Sequence, residues 1–408
     1  MLLLVLSPAE SPSAEEETEN PPKLHAQCAV LMDGYSGRIL WEKDGDRQVP
    51  MASTTKIMTC ILALEFADME ELVTVSPYAA SMPDVQLGIG AGEQYQMEHL
   101  LLSLMLESHN DSAVAIAEYV GEQLIIQQQE SEKNQKIISE PDNRTVEESQ
   151  YLVSVFADAM NQKAMELGCS HTWFITPNGL DASQQVVTES GMTENRQHST
   201  TAAELAEIMR YCTAESKKKD LFLRITNTTQ ADFYDVQKKR AFHCENHNRY
   251  LSMNSHALSG KTGFTGKAGY CYVGAVNQDG CFLIVALLGC GWPPAKNLKW
   301  EDMNRLVSYG TEKYRSMVLP KPEKVQFSYI ADENNNTGKK EVRKKYLASP
   351  DLSDQKVLIG KDETLDMKWY CFSSSGQPGD IVGSCEFYIQ DQKVFQYLYR
   401  IKNIYSLE

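Results

Sequence analysis

The sequence predicts an α+β protein in which a domain of helices and antiparallel strands is followed by a small all-β domain. Three observations support this prediction. The run "YLVSVFADAMNQKAMELGC" has the periodicity of an amphipathic helix, whereas "ALSGKTGFTGKAGYCYVGAV" and "CFLIVALLGC" are typical of adjacent antiparallel strands. After Pro320-Lys-Pro322, short β-type runs alternate with turns.

The elements of the larger domain follow in a clear order. An N-terminal hairpin, "CAVLMD-GYSG-RILWEKD", precedes the apolar helical run "IMTCILALEFA", and the loop-rich stretch Glu71–Gln96 comes next. Two apolar helices, "EHLLLSLMLE" and "SAVAIAEYV", surround a break at Ser108. Residues 122–150 are polar and weakly periodic, which is typical of an insertion or a solvated extension of a helix. "WEDMNRLVSYGTEKY" predicts an amphipathic helix that closes the domain.

Composition divides the chain into three parts. Residues 1–23 hold an apolar stub and an acidic, Pro-containing stretch, and the stub lacks the basic start and full apolar length of a signal peptide. We interpret them as a remnant export signal with a linker, the alternative being a disordered tail. Residues 24–318 form the larger domain, with a polar insertion at about 122–150, and residues 319–408 form the β-rich domain.

Charge and cysteine spacing exclude several classes of function. The net charge of −16 argues against a nucleic-acid partner. The sequence contains no run of about eighteen apolar residues, so it predicts no membrane-spanning helix. The ten cysteines show no C-x-x-C pair, so they suggest no zinc site. Cys271 and Cys281 flank the turn "NQDG", but the predicted hairpin register opposes Cys271 to Leu287 and not to another cysteine.

Three short strings carry the chemistry: S-x-x-K at Ser53–Lys56, S-x-N at Ser108–Asn110 and K-T-G at Lys261–Gly263. The first two patterns recur in the chain, whereas K-T-G occurs once. The other two S-x-x-K copies lie among charged or polar residues. The S-x-x-K string at Ser53 and the S-x-N string at Ser108 instead lie beside apolar helical runs that can hold them rigidly. Three strings in this order are the parts of a serine acyl-transfer site.

Each string has a chemical reason. A serine becomes a nucleophile only when a base takes its proton, and Ser53 and Lys56, three apart, share one face of a helix. A lysine stripped of water near another cation loses its proton more easily. Ser108 could relay a proton to the leaving nitrogen, and Asn110 offers an amide that can hold a substrate carbonyl.

The K-T-G strand supplies groups for binding. Lys261 and Thr262 give a cation and a hydroxyl suited to a substrate carboxylate, and Gly263 lets a substrate backbone lie close. Two backbone N–H groups at the developing oxyanion would complete the site. We interpret His109 and His198 as packing or capping residues, because no carboxylate is placed to form a Ser-His-Asp set with them.

With these motifs, the sequence resembles the serine D-alanyl-D-alanine carboxypeptidases, the low-molecular-mass penicillin-binding proteins. Five segments carry the resemblance: "MASTTKIMT", "LMLESHNDSAVAIAEYV", "MNQKAMELGCSHTWFITPNGLD", "HSTTAAELAEIM" and "GKTGFTGKAGYC". It covers residues 25–315 closely and the β-rich tail more loosely. It implies a penicillin-binding/β-lactamase-like fold, with a helical subdomain and an antiparallel five-stranded sheet that has helices on both faces.

The resemblance also implies a role for each motif. Ser53 becomes the acyl-ester carrier, Lys56 the proton acceptor and Ser108 a catalytic partner. Lys261 and Thr262 would bind the terminal carboxylate. The backbone N–H groups of Ser53 and Phe264 would form the oxyanion hole. Phe264 stands where some members have His, and Lys299 stands where some have Arg, so a second carboxylate contact at Lys299 stays open.

The implied reaction removes the last D-Ala from a peptidoglycan pentapeptide through an acyl-enzyme, in cell-wall biosynthesis or remodelling. β-Lactams would be covalent inhibitors, and the resemblance implies neither a cofactor nor a metal. The location implied is extracytoplasmic, in the bacterial cell envelope or secreted. Peripheral membrane association stays open, because the sequence shows no anchor.

Two other functions share part of this pattern. A β-lactamase would need a deacylating Glu in an E-x-x-L-N string, and the nearest match, Glu140-Pro-Asp-Asn143, lacks the Leu and lies in the polar insertion. A non-catalytic peptidoglycan-binding protein could keep the motifs without reacting. D-Ala release, rapid β-lactam turnover and the absence of any adduct distinguish the three functions.

Overall fold

A computed structural model confirms the predicted α+β fold followed by an all-β domain. The residues that the structure describes are 22–129, 138–188, 191–335, 338–350, 353–372 and 377–406. The predicted export-signal remnant therefore lies almost wholly outside the described residues. No helix within those ranges is both long and apolar enough to span a membrane.

The strands and helices of the two domains have the following bounds. The strands are β1 Cys28–Asp33, β2 Ile39–Lys43, β3 Leu72–Thr74, β4 Gln94–Gln96, β5 Ser183–Val187, β6 Thr193–Gln197, β7 Gln230–Tyr234, β8 Ala241–Glu245, β9 Ala257–Thr265, β10 Gly269–Gln278, β11 Cys281–Leu288, β12 Tyr314–Val318, β13 Val325–Asn335, β14 Gly338–Pro350, β15 Lys356–Gly360, β16 Leu365–Cys371, β17 Ile381–Ile389 and β18 Gln392–Ser406. The helices are α1 Lys56–Phe66, α2 Pro77–Ala80, α3 Met97–Leu106, α4 Asn110–Gln129, α5 Val146–Glu166, α6 Ala202–Arg210, α7 Lys219–Asn227, α8 Tyr250–Met253 and α9 Leu298–Lys313.

The central sheet is antiparallel and five-stranded, in the order β2-β1-β11-β10-β9. All eight residues of β11 are buried, because α6 covers one face of the sheet and α9 covers the other. Alternate residues of β1 enter two separate apolar cores, Val30 and Met32 on one side and Ala29 and Leu31 on the other. The resemblance predicted this sheet with helices on both faces, and that prediction is confirmed.

The hairpin between β10 and β11 differs from its predicted register by one residue. Asp279 and Gly280 have φ values of 54° and 79°, as the tight two-residue hairpin turn requires. This turn opposes Tyr272 to Leu287. The prediction that Cys271 lies opposite Leu287 was therefore wrong, because it centred the turn slightly too early. All ten cysteines carry free thiols.

A helical subdomain packs against one end of the sheet and holds the start of α1. It consists of α1, α3, α4, α5 and α7, which contact one another. Helix α1 is buried from Lys56 to Leu64, since its apolar residues surround the helix on all sides. The described ends of the predicted polar insertion are helical: α4 continues to Gln129, and α5 begins behind a capping box of Thr145 and Glu148.

The β-rich domain is a second five-stranded sheet, β13-β14-β18-β17-β16, joined to the pair β12-β15. It contacts the first domain through the β1–β2 turn. The Arg38 guanidinium donates two hydrogen bonds of 2.7 Å to Glu363 and one of 2.9 Å to the Leu358 carbonyl. Asp33 Oδ2 accepts a bond of 2.9 Å from the Leu358 N–H. These buried polar contacts join the two domains.

Candidate active site

Ser53 and Lys56 lie where the sequence predicts a nucleophile and its base. Ser53 belongs to a 3₁₀ turn, Ala52–Thr55, that leads directly into α1. Lys56 Nζ donates a hydrogen bond of 2.9 Å to Ser53 Oγ. The spacing of three residues therefore brings the amine onto the hydroxyl, as expected for neighbours on one helical face.

The fully buried Lys56 is bonded to uncharged oxygen atoms. Its Nζ also donates to Asn110 Oδ1 at 2.9 Å and to the Asn178 carbonyl at 2.5 Å. Burial lowers the pKa of Lys56 well below its usual range, the Lys261 charge lowers this pKa further, and the Asp111 carboxylate acts in the opposite direction. The site therefore favours the neutral amine, which is the form that can accept a proton.

Ser108 occupies the break between α3 and α4, as predicted. Its φ of 72° is left-handed, a conformation uncommon for residues other than glycine. Its hydroxyl oxygen is buried and has no hydrogen-bond partner among the described residues. Two residues later, Asn110 Nδ2 donates bonds of 3.1 Å to the carbonyls of Pro83 and Asp84. The protein itself thus engages the Asn110 amide that we predicted to hold a substrate carbonyl.

The K-T-G string runs along β9 beside the nucleophile. A Cβ on Gly263 would lie 2.9 Å from the Ser53 nitrogen and 3.1 Å from the Thr54 nitrogen. Glycine at this position is therefore what lets β9 approach the backbone that carries Ser53. Thr262 and Phe264 line the cleft, and the Phe264 ring centroid lies 4.7 Å from that of Tyr270.

Lys261 lies behind Thr262 and outside the cleft lining. It is 2% exposed, and its Nζ donates to the Thr262 carbonyl at 3.0 Å. Burial lowers the pKa of Lys261 to about 7. Its position adds a positive charge near Lys56 as well as near the cleft, a role that the sequence reasoning had assigned only in general terms.

Sequence reasoning missed the residues that support the nucleophile from behind. Ser53 Oγ lies 3.3 Å from the Asn178 carbonyl. Gly179 has a φ of 84°, and a Cβ there would lie 2.1 Å from the Ala52 carbonyl oxygen. Ala52 itself has a φ of 49°. The Asn-Gly dipeptide at 178–179 is a turn signal that could have pointed to this segment.

His198 also supports the nucleophile turn, although we interpreted it only as a packing or capping residue. Its Nδ1 accepts a bond of 2.9 Å from the Ile175 N–H, so its Nε2 carries the proton and donates to Thr55 Oγ1 at 2.8 Å. Thr55 Oγ1 in turn donates to the Ala52 carbonyl at 2.8 Å. Burial, with a smaller effect of the Lys56 charge, lowers the pKa of His198 to about 3. The imidazole is therefore a neutral structural link.

The cleft in front of these groups has a volume of about 620 Å³. Its lining includes Ser53, Ser108 and Asn110, together with the basic residues Arg249 and Lys299. Lys299 Nζ donates to the Lys296 carbonyl at 2.6 Å and lies within 4.8 Å of the ring centroids of Tyr270 and Trp300. The lining carries charges of both signs, with Asp84, Glu107 and Glu245 beside Arg249, Lys296 and Lys299. A serine hydroxyl with an adjacent amine, in a cleft that also offers cations, suits acyl transfer to or from an anionic peptide end.

Comparisons with known proteins agree with this chemistry. A family model described as D-alanyl-D-alanine carboxypeptidase matches residues 15–124 and 153–291. The chain is 26% identical over 326 residues to D-alanyl-D-alanine carboxypeptidase DacF of Bacillus subtilis, covering 78% of this chain and 71% of that protein. It is 26% identical over 327 residues to D-alanyl-D-alanine carboxypeptidase DacC of Escherichia coli, covering 76% of this chain and 67% of that protein.

The fold is similar to that of a solved structure across both domains. The crystal structure of penicillin binding protein 5 from Haemophilus influenzae superimposes with a TM-score of 0.65 and 19% sequence identity. The match covers 94% of this chain and 98% of that chain. At this identity the likeness shows the fold alone.

Proposed function

The chain belongs to the D-alanyl-D-alanine carboxypeptidase family of serine hydrolases, and from this premise we propose that Ser53 carries the acyl group as the enzyme removes the terminal D-Ala from a peptidoglycan pentapeptide. One observation carries the assignment of Ser53: the buried Lys56 amine is hydrogen-bonded to its hydroxyl at 2.9 Å. An amine whose pKa is lowered by burial and a neighbouring cation is a competent base for a serine nucleophile.

In the acylation step, Ser53 Oγ attacks the carbonyl carbon of the penultimate D-Ala while its proton passes to Lys56 Nζ. The carbonyl oxygen becomes an oxyanion, and the N–H groups of Ser53 and Phe264 donate to it. Donors of this kind contribute roughly 3–4 kcal/mol each to transition-state stabilisation. The close approach of β9 to the Ser53 nitrogen at Gly263 supports this pairing of donors.

The departing D-Ala needs a proton on its nitrogen. As the C–N bond breaks, the Ser108 hydroxyl gives its proton to this nitrogen and takes a proton from the Lys56 ammonium. A buried hydroxyl without a hydrogen-bond partner among the described residues supports this role. Water then attacks the ester carbonyl while Lys56 Nζ accepts a proton from the water. As the bond to Ser53 Oγ breaks, Lys56 returns this proton to Oγ, and the shortened peptide leaves with a free carboxylate.

Substrate binding rests on the K-T-G strand. The Thr262 hydroxyl contacts the terminal carboxylate, and the positive charge of Lys261 behind it attracts that carboxylate into the cleft. Asn110 acts through Lys56, because its Oδ1 accepts a bond from Nζ and so orients the amine.

The remaining assignments follow from the family. The enzyme acts outside the cytoplasm on the cell wall, and β-lactams acylate Ser53 because their strained amide presents the same carbonyl chemistry. The catalytic domain spans residues 24–318 and the β-rich domain 319–408. The family match leaves a gap between its segments at 124 and 153, which fits an insertion at about 122–150.

The test is the intact mass of the full chain after incubation with benzylpenicillin, followed by D-Ala release from diacetyl-Lys-D-Ala-D-Ala. We expect a covalent adduct that Ser53→Ala abolishes. Ser353→Ala, in the S-x-x-K copy of the β-rich domain, is the matched control and keeps the adduct. Rapid turnover of the drug would instead indicate a β-lactamase. If the chain forms no adduct and releases no D-Ala, the proposal is overturned in favour of a binding protein.

A further inference from the structure

We propose that Glu107, His109 and Cys244 form a binding site for a thiophilic divalent cation of the zinc class, directly beside Ser108. One ligand atom from each of the three side chains lies within 4.8 Å of the other two. An imidazole nitrogen, a thiol and a carboxylate are the ligand types that Zn²⁺ prefers. The proposed reaction uses none of these three side chains.

The geometry is close to that of a bound cation. His109 Nε2 lies 3.2 Å from Glu107 Oε2. Tetrahedral ligands at roughly 2.0–2.3 Å from Zn²⁺ are separated from one another by about 3.3–3.8 Å. The nitrogen and the carboxylate oxygen are thus already at nearly the required separation, and the Cys244 sulfur, within 4.8 Å of both, must move closer to complete the set.

Outer partners already orient the two ligands from the S-x-N segment. Ser103 Oγ lies 2.9 Å from His109 Nδ1, the nitrogen that faces away from the site. The Glu245 N–H donates to Glu107 Oε1 at 2.8 Å, which leaves Oε2 directed at His109. Such outer-shell hydrogen bonds fix ring orientation and ligand basicity in metal sites.

Cys244 supplies the soft ligand. It lies on β8 and is fully buried. Its thiol has no hydrogen-bond partner in the part of the chain that the structure describes, whereas the thiols of Cys169, Cys271 and Cys281 each contact backbone carbonyls. The Cys244 sulfur is therefore available to a cation without loss of an existing bond.

Binding of the cation requires only proton movements and neither an oxidant nor a reductant. The Cys244 thiol releases its proton to solvent and binds as the thiolate. His109 moves its proton from Nε2 to Nδ1, which then donates to Ser103 Oγ, a hydroxyl that can accept as well as donate. The carboxylate binds through Oε2. A water molecule takes the fourth position on the side of the cleft, because Glu107 is part of the cleft lining.

Occupation of this site would act on Ser108, which lies between two of the ligands in the chain. A cation that holds both neighbours of a residue with left-handed backbone restricts how far the Ser108 hydroxyl can move during proton transfer. We therefore expect acylation of Ser53 to slow by about tenfold when the site is filled, equal to about 1.4 kcal/mol. This consequence rests on the proposed function, whereas cation binding itself does not.

The test titrates the metal-stripped full chain with Co²⁺, which reports its ligands by absorbance, and then displaces it with Zn²⁺. We expect a thiolate-to-cobalt charge-transfer band and tetrahedral d–d bands. Cys169→Ala, a buried cysteine elsewhere in the catalytic domain, should keep both bands. Cys244→Ala should lose the charge-transfer band and weaken binding by more than the roughly 10- to 100-fold that loss of an outer partner costs. His109→Gln provides a second variant should Cys244→Ala unfold.

Two outcomes would contradict the proposed cation site. Absence of binding by the wild-type chain, or binding that Cys244→Ala and His109→Gln leave intact, would overturn it. Acylation by benzylpenicillin is then measured with and without Zn²⁺. An unchanged rate with the site filled would overturn the effect on Ser108. If Ser53 fails to react at all, the Co²⁺ spectrum still reports binding, so failure of the proposed function is recognised separately.

Discussion

Replacing Lys261 with Met tests whether a second buried lysine keeps the base neutral. After burial, the charge of Lys261 is the largest cause of the lowered pKa of Lys56. Met has a similar length and no charge, and exchange of a buried charge for an apolar group of similar volume is often harmless to stability. In Lys261→Met the repulsion between two cations is removed while burial stays, so we expect the pKa of Lys56 to rise.

The expected size of the change follows from burial. Both lysines are too buried for solvent ions to screen their repulsion well: 0% exposed for Lys56 and 2% for Lys261. Lys261 has a pKa of about 7 and is only partly charged near neutral pH, which limits the effect of removing it. We expect a roughly tenfold smaller neutral fraction of Lys56 in Lys261→Met, equal to about 1.4 kcal/mol.

The sign of the pH effect follows from the proposed role of Lys56 as a base. Only the neutral amine accepts the Ser53 proton, so the acylation rate rises with pH through the apparent pKa of the lysine pair. In Lys261→Met this rising limb moves to higher pH, and the rate on the limb falls about tenfold while the plateau changes less.

The assay is the second-order rate constant of acylation by benzylpenicillin, measured across pH. Lys299→Met is the matched control: its ammonium lies against the rings of Tyr270 and Trp300 and is not among the causes of the shifted Lys56 pKa. The control should leave the position of the limb unchanged. A limb at the same or a lower pH in Lys261→Met would refute the reasoning that links the two lysines.

Two further substitutions test the support of the site, and a third tests the contact between the two domains. Gly179→Ala should slow acylation by more than about tenfold, because its Cβ would meet the carbonyl oxygen of Ala52, the residue before Ser53. Gly168→Ala is the control: its φ of 78° gives the same backbone strain, but open space surrounds it, so the rate should not change. His198→Gln should lower the acylation rate without moving its pH limb, because the imidazole, with a pKa of about 3, is neutral throughout; a shifted limb would contradict this. Arg38→Met should lower the free energy of unfolding by about 3–5 kcal/mol, since it leaves Glu363 buried and unpaired; denaturant unfolding should show most of the loss restored by adding Glu363→Leu.

The local part of the site could be predicted from sequence because helical geometry determines it. Ser53 and Lys56 are three residues apart, and this spacing alone brings the amine to the hydroxyl. The break at Ser108 was visible because two apolar helical runs end and begin there. That Lys261 approaches from a strand far along the chain followed from the set of three motifs and from the resemblance, since spacing alone says nothing about such long-range contacts.

The rest of the site depends on atoms that sequence patterns do not mark. The Asn178 carbonyl accepts bonds from both Lys56 and Ser53, and any residue type presents such a carbonyl. The register of β10 depends on whether the turn closes at Asp279–Gly280 or one position earlier, and both choices keep apolar residues in the strands. Both features are decided by tertiary packing.

The carboxylates of the cleft bear on the choice between a peptidase and a β-lactamase. In the described part of the chain the lining holds Asp84, Glu107 and Glu245. Both oxygens of Glu107 are engaged, by the Glu245 N–H and by His109, and the Glu245 side chain is 73% exposed. Asp84 is also exposed. None of these three carboxylates is thus both buried and free to activate a deacylating water, and we therefore assign Lys56 as the base for both half-reactions. With a peptide the departing D-Ala vacates the space beside the ester, so water can enter. An opened β-lactam keeps its leaving nitrogen tethered to the acyl group in that same space, so the same site that hydrolyses a peptide should be trapped by the drug.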